Sequence, residues 1–130
     1  SAGRGMAAQA LSRVGFITDT EGNFDYWSRC VELSEVVRFD GGGRLRFSRP
    51  DSGDRFVFGG DVFDKGPGDI RICTELLRFK DAHPERVFLL VGNRDLNKLR
   101  FTAELAEDEI DVPQPVPLYP RAPPQVSEAR

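Results

Sequence analysis

Apolar residues fall along this chain in short runs that end in glycine and acid. Val14-Gly-Phe-Ile-Thr18 is the first run, and it stops at Asp19. Residues 24 to 37 follow, with Phe24, Trp27, Val31, Leu33, Val36 and Val37 at roughly helical spacing. Val37-Arg-Phe39 and Arg44-Leu-Arg-Phe47 alternate apolar and polar residues on either side of Asp40-Gly-Gly-Gly43, the signal of a hairpin. Arg55-Phe-Val-Phe58 is a further strand and runs into Gly59-Gly60-Asp61. A helix fits 69 to 82, with Ile70, Cys73 and Leu77 on its apolar face, and His83-Pro84 stops it. Arg86-Val-Phe-Leu-Leu-Val91 is the most apolar strand and reads as the most buried, ending in Gly92-Asn93. Leu96, Leu99, Ala103, Ala106 and Ile110 then step by three and four along a last helix.

Strand and helix alternate three times, which predicts an α/β fold with a mostly parallel sheet and a small hairpin insertion. Ligands of such sheets sit beyond the carboxyl ends of the strands. Each of the three core strands ends there in a polar cluster. The clusters are Asp19-Thr-Glu21-Gly-Asn23, Gly60-Asp61-Val-Phe-Asp64-Lys65-Gly-Pro-Gly68-Asp69 and Gly92-Asn93-Arg94-Asp95. Neighbouring strand ends would bring Asp19, Glu21, Asp61, Asp64 and Asn93 together. So many acids in one crevice repel one another unless cations lie among them. Oxygen donors of this kind suit hard divalent ions such as Mg²⁺ or Mn²⁺. Plainer roles exist for single residues: Asp19, Asn23 or Asp69 could cap the helices that follow them. Three such coincidences at three successive strand ends are less economical than one site.

Composition narrows the chemistry. The chain has 130 residues, one domain's worth, with 39% hydrophobic and 30% charged residues. Its net charge of -3 speaks against a nucleic-acid surface. No apolar run reaches the roughly 20 residues of a membrane span. Cys30 and Cys73 are far apart and read as free thiols of a reducing, cytoplasmic setting. The single histidine, His83, precludes a site made of several imidazoles and reads as an exposed helix-end residue. Residues 1–13 read as a disordered start. Six of the nine prolines fall between Pro113 and Pro124, so 112–130 reads as an extended tail, with Pro117 and Pro120 in PxxP spacing.

The second and third clusters resemble motifs of the calcineurin-like metallophosphoesterases. Gly60-Asp61-x-x-Asp64-Lys65-Gly66 is similar to their GDxxDRG, Gly92-Asn93-Arg94-Asp95 to their GNH[ED], and Asp19-x-Glu21 stands where the family writes DxH. The segment from Pro84 into Asn93 resembles the serine/threonine phosphatase and diadenosine-tetraphosphatase-like branch. The likeness covers about residues 14 to 100 and implies a partial α/β sandwich, with 14–111 as the N-terminal half of a catalytic domain. It implies two divalent metal ions with Asp19, Asp61 and Asn93 as ligands; Glu21, at the place of a further ligand, makes Mn or Mg the expected ions in preference to Fe or Zn. Asp64, Arg94 and Asp95 would serve catalysis, and Lys65 and Arg94 would bind the substrate phosphate. The substrate would be a phosphorylated small molecule, a nucleotide or a phosphoprotein, with neither nucleic acid nor membrane as partner.

Three departures stand out. Glu21 replaces a metal-binding His, which favours a harder ion. Lys65 replaces an Arg and loses its bidentate fork. Arg94 replaces the His that serves the family as general acid, and a guanidinium holds its proton at neutral pH. The family's later histidine motifs have no counterpart here. Two functions follow as alternatives: a metal-dependent hydrolase of phosphate esters or anhydrides, or a catalytically inactive module on the same fold that binds a phosphate or a partner.

Overall fold

The computed structural model describes residues 11–100. Eight elements succeed one another: β1 (Val14–Ile17), α1 (Phe24–Leu33), β2 (Val37–Phe39), β3 (Leu45–Phe47), β4 (Arg55–Phe58), α2 (Asp69–Ala82), β5 (Val87–Leu89) and α3 (Asn93–Lys98). The fold is mixed α/β, as the alternation predicts. β1, β4 and β5 form a parallel sheet in the order β1-β4-β5, and β2 and β3 form an antiparallel hairpin. Gly15 lies opposite Phe56 and Phe56 opposite Val87, so one row of residues crosses all three strands. The predicted helix residues Ala103, Ala106 and Ile110, the start of the chain before residue 11 and the 112–130 tail lie outside the described residues.

The core lies on one face of the sheet. Ile17, Phe56, Phe58 and Val87 point into it and meet Trp27 and Val31 of α1 and Ile72, Leu76 and Phe79 of α2. Trp27 is fully buried and meets Phe39 and Phe58 edge-on, with ring centroids 6.4 and 6.2 Å away. α1 starts where the Asn23 side chain accepts the N–H of Tyr26, and it ends at Leu33, earlier than the sequence periodicity suggests. Val36 leads into the hairpin and Val37 opens β2, and both are buried. The hairpin packs Phe47 on Phe79 at 4.8 Å, and Glu75 of α2 accepts the N–H of Leu45.

Three expectations need correction. The buried stripe of α2 is Ile72, Leu76 and Phe79, while Ile70 and Leu77 are exposed. Both rows are apolar at helical spacing, and the tilt of the helix on the sheet selects one. β5 is not the most buried strand: Val87 is buried, but Phe88, Leu90 and Val91 are exposed. Together with Val14 at 65% and Phe16 at 62% exposure, they make the second face of the parallel sheet apolar and open among the described residues. His83 is half-buried, edge-on to Phe47 and Phe79, and burial, then Arg86 and Arg46, push its pKa down.

One buried acid ties the sheet to its surroundings. Asp54, 0% exposed, precedes β4 and accepts the N–H of Arg13 at 2.8 Å and two N–H groups of Arg49 at 3.0 and 2.5 Å. The hydrogen bonds from Arg49 hold its carboxyl well below the usual carboxylate range, with Arg13 and Ser52 adding. A depressed pKa means stability that is present above the unfolded value near 3.9 and lost as pH falls below it. We therefore expect Asp54→Ala to cost about 2 kcal/mol at pH 7, by stranding Arg49 and the Arg13 N–H. Urea unfolding followed by Trp27 fluorescence should show this cost shrinking between pH 5 and pH 3. A cost independent of pH would refute the assignment.

Candidate functional site at the carboxyl edge of the sheet

The three loops that leave β1, β4 and β5 at their carboxyl ends are stitched into one surface. The first two meet backbone to backbone. Asp19 N–H donates to Gly60 O and Glu21 N–H to Asp61 O, while Lys65 and Gly66 donate to Glu21 O and Gly68 to Gly22 O. The contact is so close that a Cβ on either Gly22 or Gly66 would collide with the backbone of the other loop. Asp19 and Asp61 sit in left-handed backbone, at φ 53° and 57°. Non-glycine residues rarely adopt it, and such strain collects at functional sites.

The second and third loops are joined by Asp95. Its Oδ2 accepts the N–H groups of Asp61 at 2.8 Å and Gly92 at 2.9 Å; its Oδ1 accepts those of Val62 at 2.9 Å and Phe63 at 3.2 Å. In return the Arg94 N–H donates to Asp61 Oδ1 at 3.0 Å. Gly92 is pressed so closely on Asp61 that a side chain there would strike its carboxylate.

The predicted site residues fall as follows. Asp19, Asp61 and Asn93 stand at the ends of three adjacent strands. Thr18 donates its hydroxyl proton to Asp19 Oδ2 at 2.6 Å, and Asp61 is buried with one oxygen taken by Arg94 N–H. Asn93 is exposed. Glu21 is paired with Lys65, with Oε2 and Nζ 2.6 Å apart. Arg94 donates to Asp64 Oδ2 at 2.7 Å. Asp69 is the first residue of α2, one position past its Gly68 cap. Among the described residues no three His, Cys, Asp or Glu side chains gather as a metal cage. Thr20, between Asp19 and Glu21, is 1% exposed, and its buried hydroxyl has no hydrogen-bond partner.

A groove of about 790 Å³ opens beside Asp19 and Glu21. Lys65, Pro67, Phe24, Tyr26 and Arg71 are among its walls. Nothing in the sequence spacing marks Phe24 or Arg71, because the groove is made where α1 meets the start of α2.

The fold and the site define an α/β protein with an acid-lined carboxyl edge on a parallel sheet. The model of the calcineurin-like phosphoesterase family matches residues 12–125, and the chain belongs to that family. Searches of curated proteins and of solved structures give no match. Members of the family generally use divalent metals and act on phosphorylated substrates. No helix among the described residues is long and apolar enough to cross a membrane.

The Asp95 carboxylate makes a direct expectation. Asp95→Ala leaves four backbone N–H groups without their acceptor and should cost about 2 kcal/mol. Amide hydrogen exchange should accelerate at Asp61, Val62, Phe63 and Gly92, with β1 protected as before. Uniform acceleration across the sheet would show that Asp95 supports the whole fold and no local latch.

Proposed function

We propose that the protein is a metal-dependent hydrolase of phosphate esters or anhydrides, with Asp19, Asp61 and Asn93 holding a hard divalent cation, Mg²⁺ or Mn²⁺. One observation carries this reading: two aspartates in left-handed backbone stand at adjacent strand ends, with the exposed Asn93 at the end of the next strand. The donor chemistry fits such an ion, since it is all oxygen, and the neighbouring buried Thr20 hydroxyl has no hydrogen-bond partner among the described residues. It fits one ion better than two, because Glu21 is committed to Lys65. A second ion, which the family resemblance implies, would need Glu21 released and further ligands. When bound, the ion supplies Lewis acidity and a water of lowered pKa.

The remaining roles belong to side chains. Arg94 would steady charge on the phosphoryl group as a fixed cation and cannot deliver a proton at neutral pH. Asp64 would orient Arg94 through their ion pair. Lys65 would meet the phosphate as a point charge on leaving Glu21. Asp95, with both oxygens spent on backbone, would serve catalysis by fixing the Asp61 loop. Pro84 to Asn93 supports a place in the serine/threonine phosphatase and diadenosine-tetraphosphatase-like branch.

A second reading has its own support. The Glu21–Lys65 and Arg94–Asp64 pairs neutralise the site internally, which suits an inactive module that binds a phosphate or a partner.

Two outcomes separate these readings. Mn²⁺ or Mg²⁺ should raise the melting temperature, by about 2.7 kcal/mol of stability at a hundredfold excess over Kd, and Asp61→Asn should remove most of that shift. Equal shifts in both proteins would place the ion elsewhere. Among phosphorylated substrates, turnover should favour anhydrides and aryl esters over alkyl esters, because a general acid is worth about 10²–10⁴-fold for poor leaving groups. Arg94→His should restore rate chiefly on an alkyl ester and Arg94→Ala should slow both classes. Unchanged rates in Arg94→Ala would remove Arg94 from the catalytic roles, and no turnover in any variant would favour the binding module.

A further inference from the structure

Beside the strand ends, the groove contains a cation that the proposed chemistry does not use. Arg71 lies in the first turn of α2, with its guanidinium carbon 3.7 Å above the centre of the Phe24 ring. The ring holds the guanidinium in place by a cation–π contact and takes none of its N–H donors. The acid one helical turn on, Glu75, is already engaged. It accepts the Leu45 N–H at 2.8 Å and pairs with Arg44 and Arg78 at 3.5 and 3.9 Å. Arg71 forms no ion pair among the described residues. The other cation on the groove wall, Lys65, is held by Glu21. Phe24, Tyr26 and Pro67 give the groove apolar walls, and Asp25 joins Asp19 and Glu21 as its acids.

We infer that this groove holds the leaving portion of the substrate and that Arg71 selects substrates whose leaving portion carries a second anionic group. The inference rests on the phosphoesterase reading for which end of the groove holds the reacting phosphate. The substrate class is then a phosphate ester or anhydride with an apolar or planar body ending in a carboxylate or a further phosphate. The apolar walls receive the body, and the stacked guanidinium, preorganised by Phe24, pairs with the far anion. An uncharged leaving group of the same shape leaves that cation without a partner. Arg71 is thus a specificity residue that touches substrate away from the reacting atoms.

Stable probes allow a test that does not depend on turnover. Binding of 4-carboxyphenylphosphonate, benzene-1,4-bisphosphonate and the neutral isostere 4-carbamoylphenylphosphonate is measured by calorimetry with Mg²⁺ at low ionic strength, where exposed charges are least screened. Each doubly anionic probe should bind about fivefold more tightly than the amide, the size of a partly exposed charge pair. The tighter of the two names the preferred anion. Arg71→Met keeps the contact with Phe24 and should bring both ratios to one, whereas Arg71→Lys should keep part of them. A ratio near one in the wild type, a ratio unchanged in Arg71→Met, or no binding of any probe overturns the inference. Turnover of 4-nitrophenyl phosphate is measured in parallel. If it is absent while the ratios hold, the hydrolase reading fails and the anion subsite stands. If turnover is present with ratios of one, only the subsite fails.

Discussion

The Asp95 carboxylate sits at the junction on which the carboxyl edge depends. An ionised carboxylate only accepts hydrogen bonds, and it has about four lone-pair positions to fill. Here four backbone N–H groups from two loops fill them. Three belong to consecutive residues, Asp61, Val62 and Phe63, so the carboxylate curls the chain as it leaves β4. That curl is what holds Asp61 in left-handed backbone, a conformation that would relax if its N–H were free. Asp61 then accepts the N–H of Arg94. Asp95 thus holds the Asp61 loop and Asp61 holds the Arg94 N–H of the Asp95 loop, so the two loops that carry Asp64, Asn93 and Arg94 are fixed to each other.

The charges around this junction are paired before any ligand arrives. Lys65 rests on Glu21 and Arg94 on Asp64. Both pairs are partly exposed, so neither is worth much as stabilisation. On the proposed reading their effect would be on exchange: an arriving phosphate would offer each cation a better partner and leave a carboxylate behind. The released Glu21 and Asp64 would then carry negative charge beside the phosphate, which a divalent cation would offset.

Much of this architecture was legible along the chain. β4 and α2 have the predicted limits because apolar runs bounded by Gly, Pro and Asp are local signals. The three loops could be read as one site because each follows a strand of the same parallel sheet. What escaped was relational. α2 carries two apolar rows, and only packing decides that Ile72, Leu76 and Phe79 face the sheet. The run from Val87 to Val91 reads as buried on both faces, yet the helices cover one. Asp95 reads as one more acid of a charged motif, and nothing in its spacing shows that backbone amides of another loop consume it. The partners of Glu21 and Arg94 escaped for the same reason, since ion pairs between loops leave no periodicity.

The close approach of Gly22 and Gly66 sets where this molecule is free to diversify. Neither loop has room for a side chain at that crossing, so a change in one would need a matching retreat in the other. Two simultaneous changes are a rare route for a lineage to take. The walls of the neighbouring groove are under no such restriction: Tyr26, Pro67 and Arg71 are all exposed to solvent and can be exchanged singly. A descendant of this chain would therefore keep the machinery at the strand ends and acquire new substrates by altering the helix surfaces beside it.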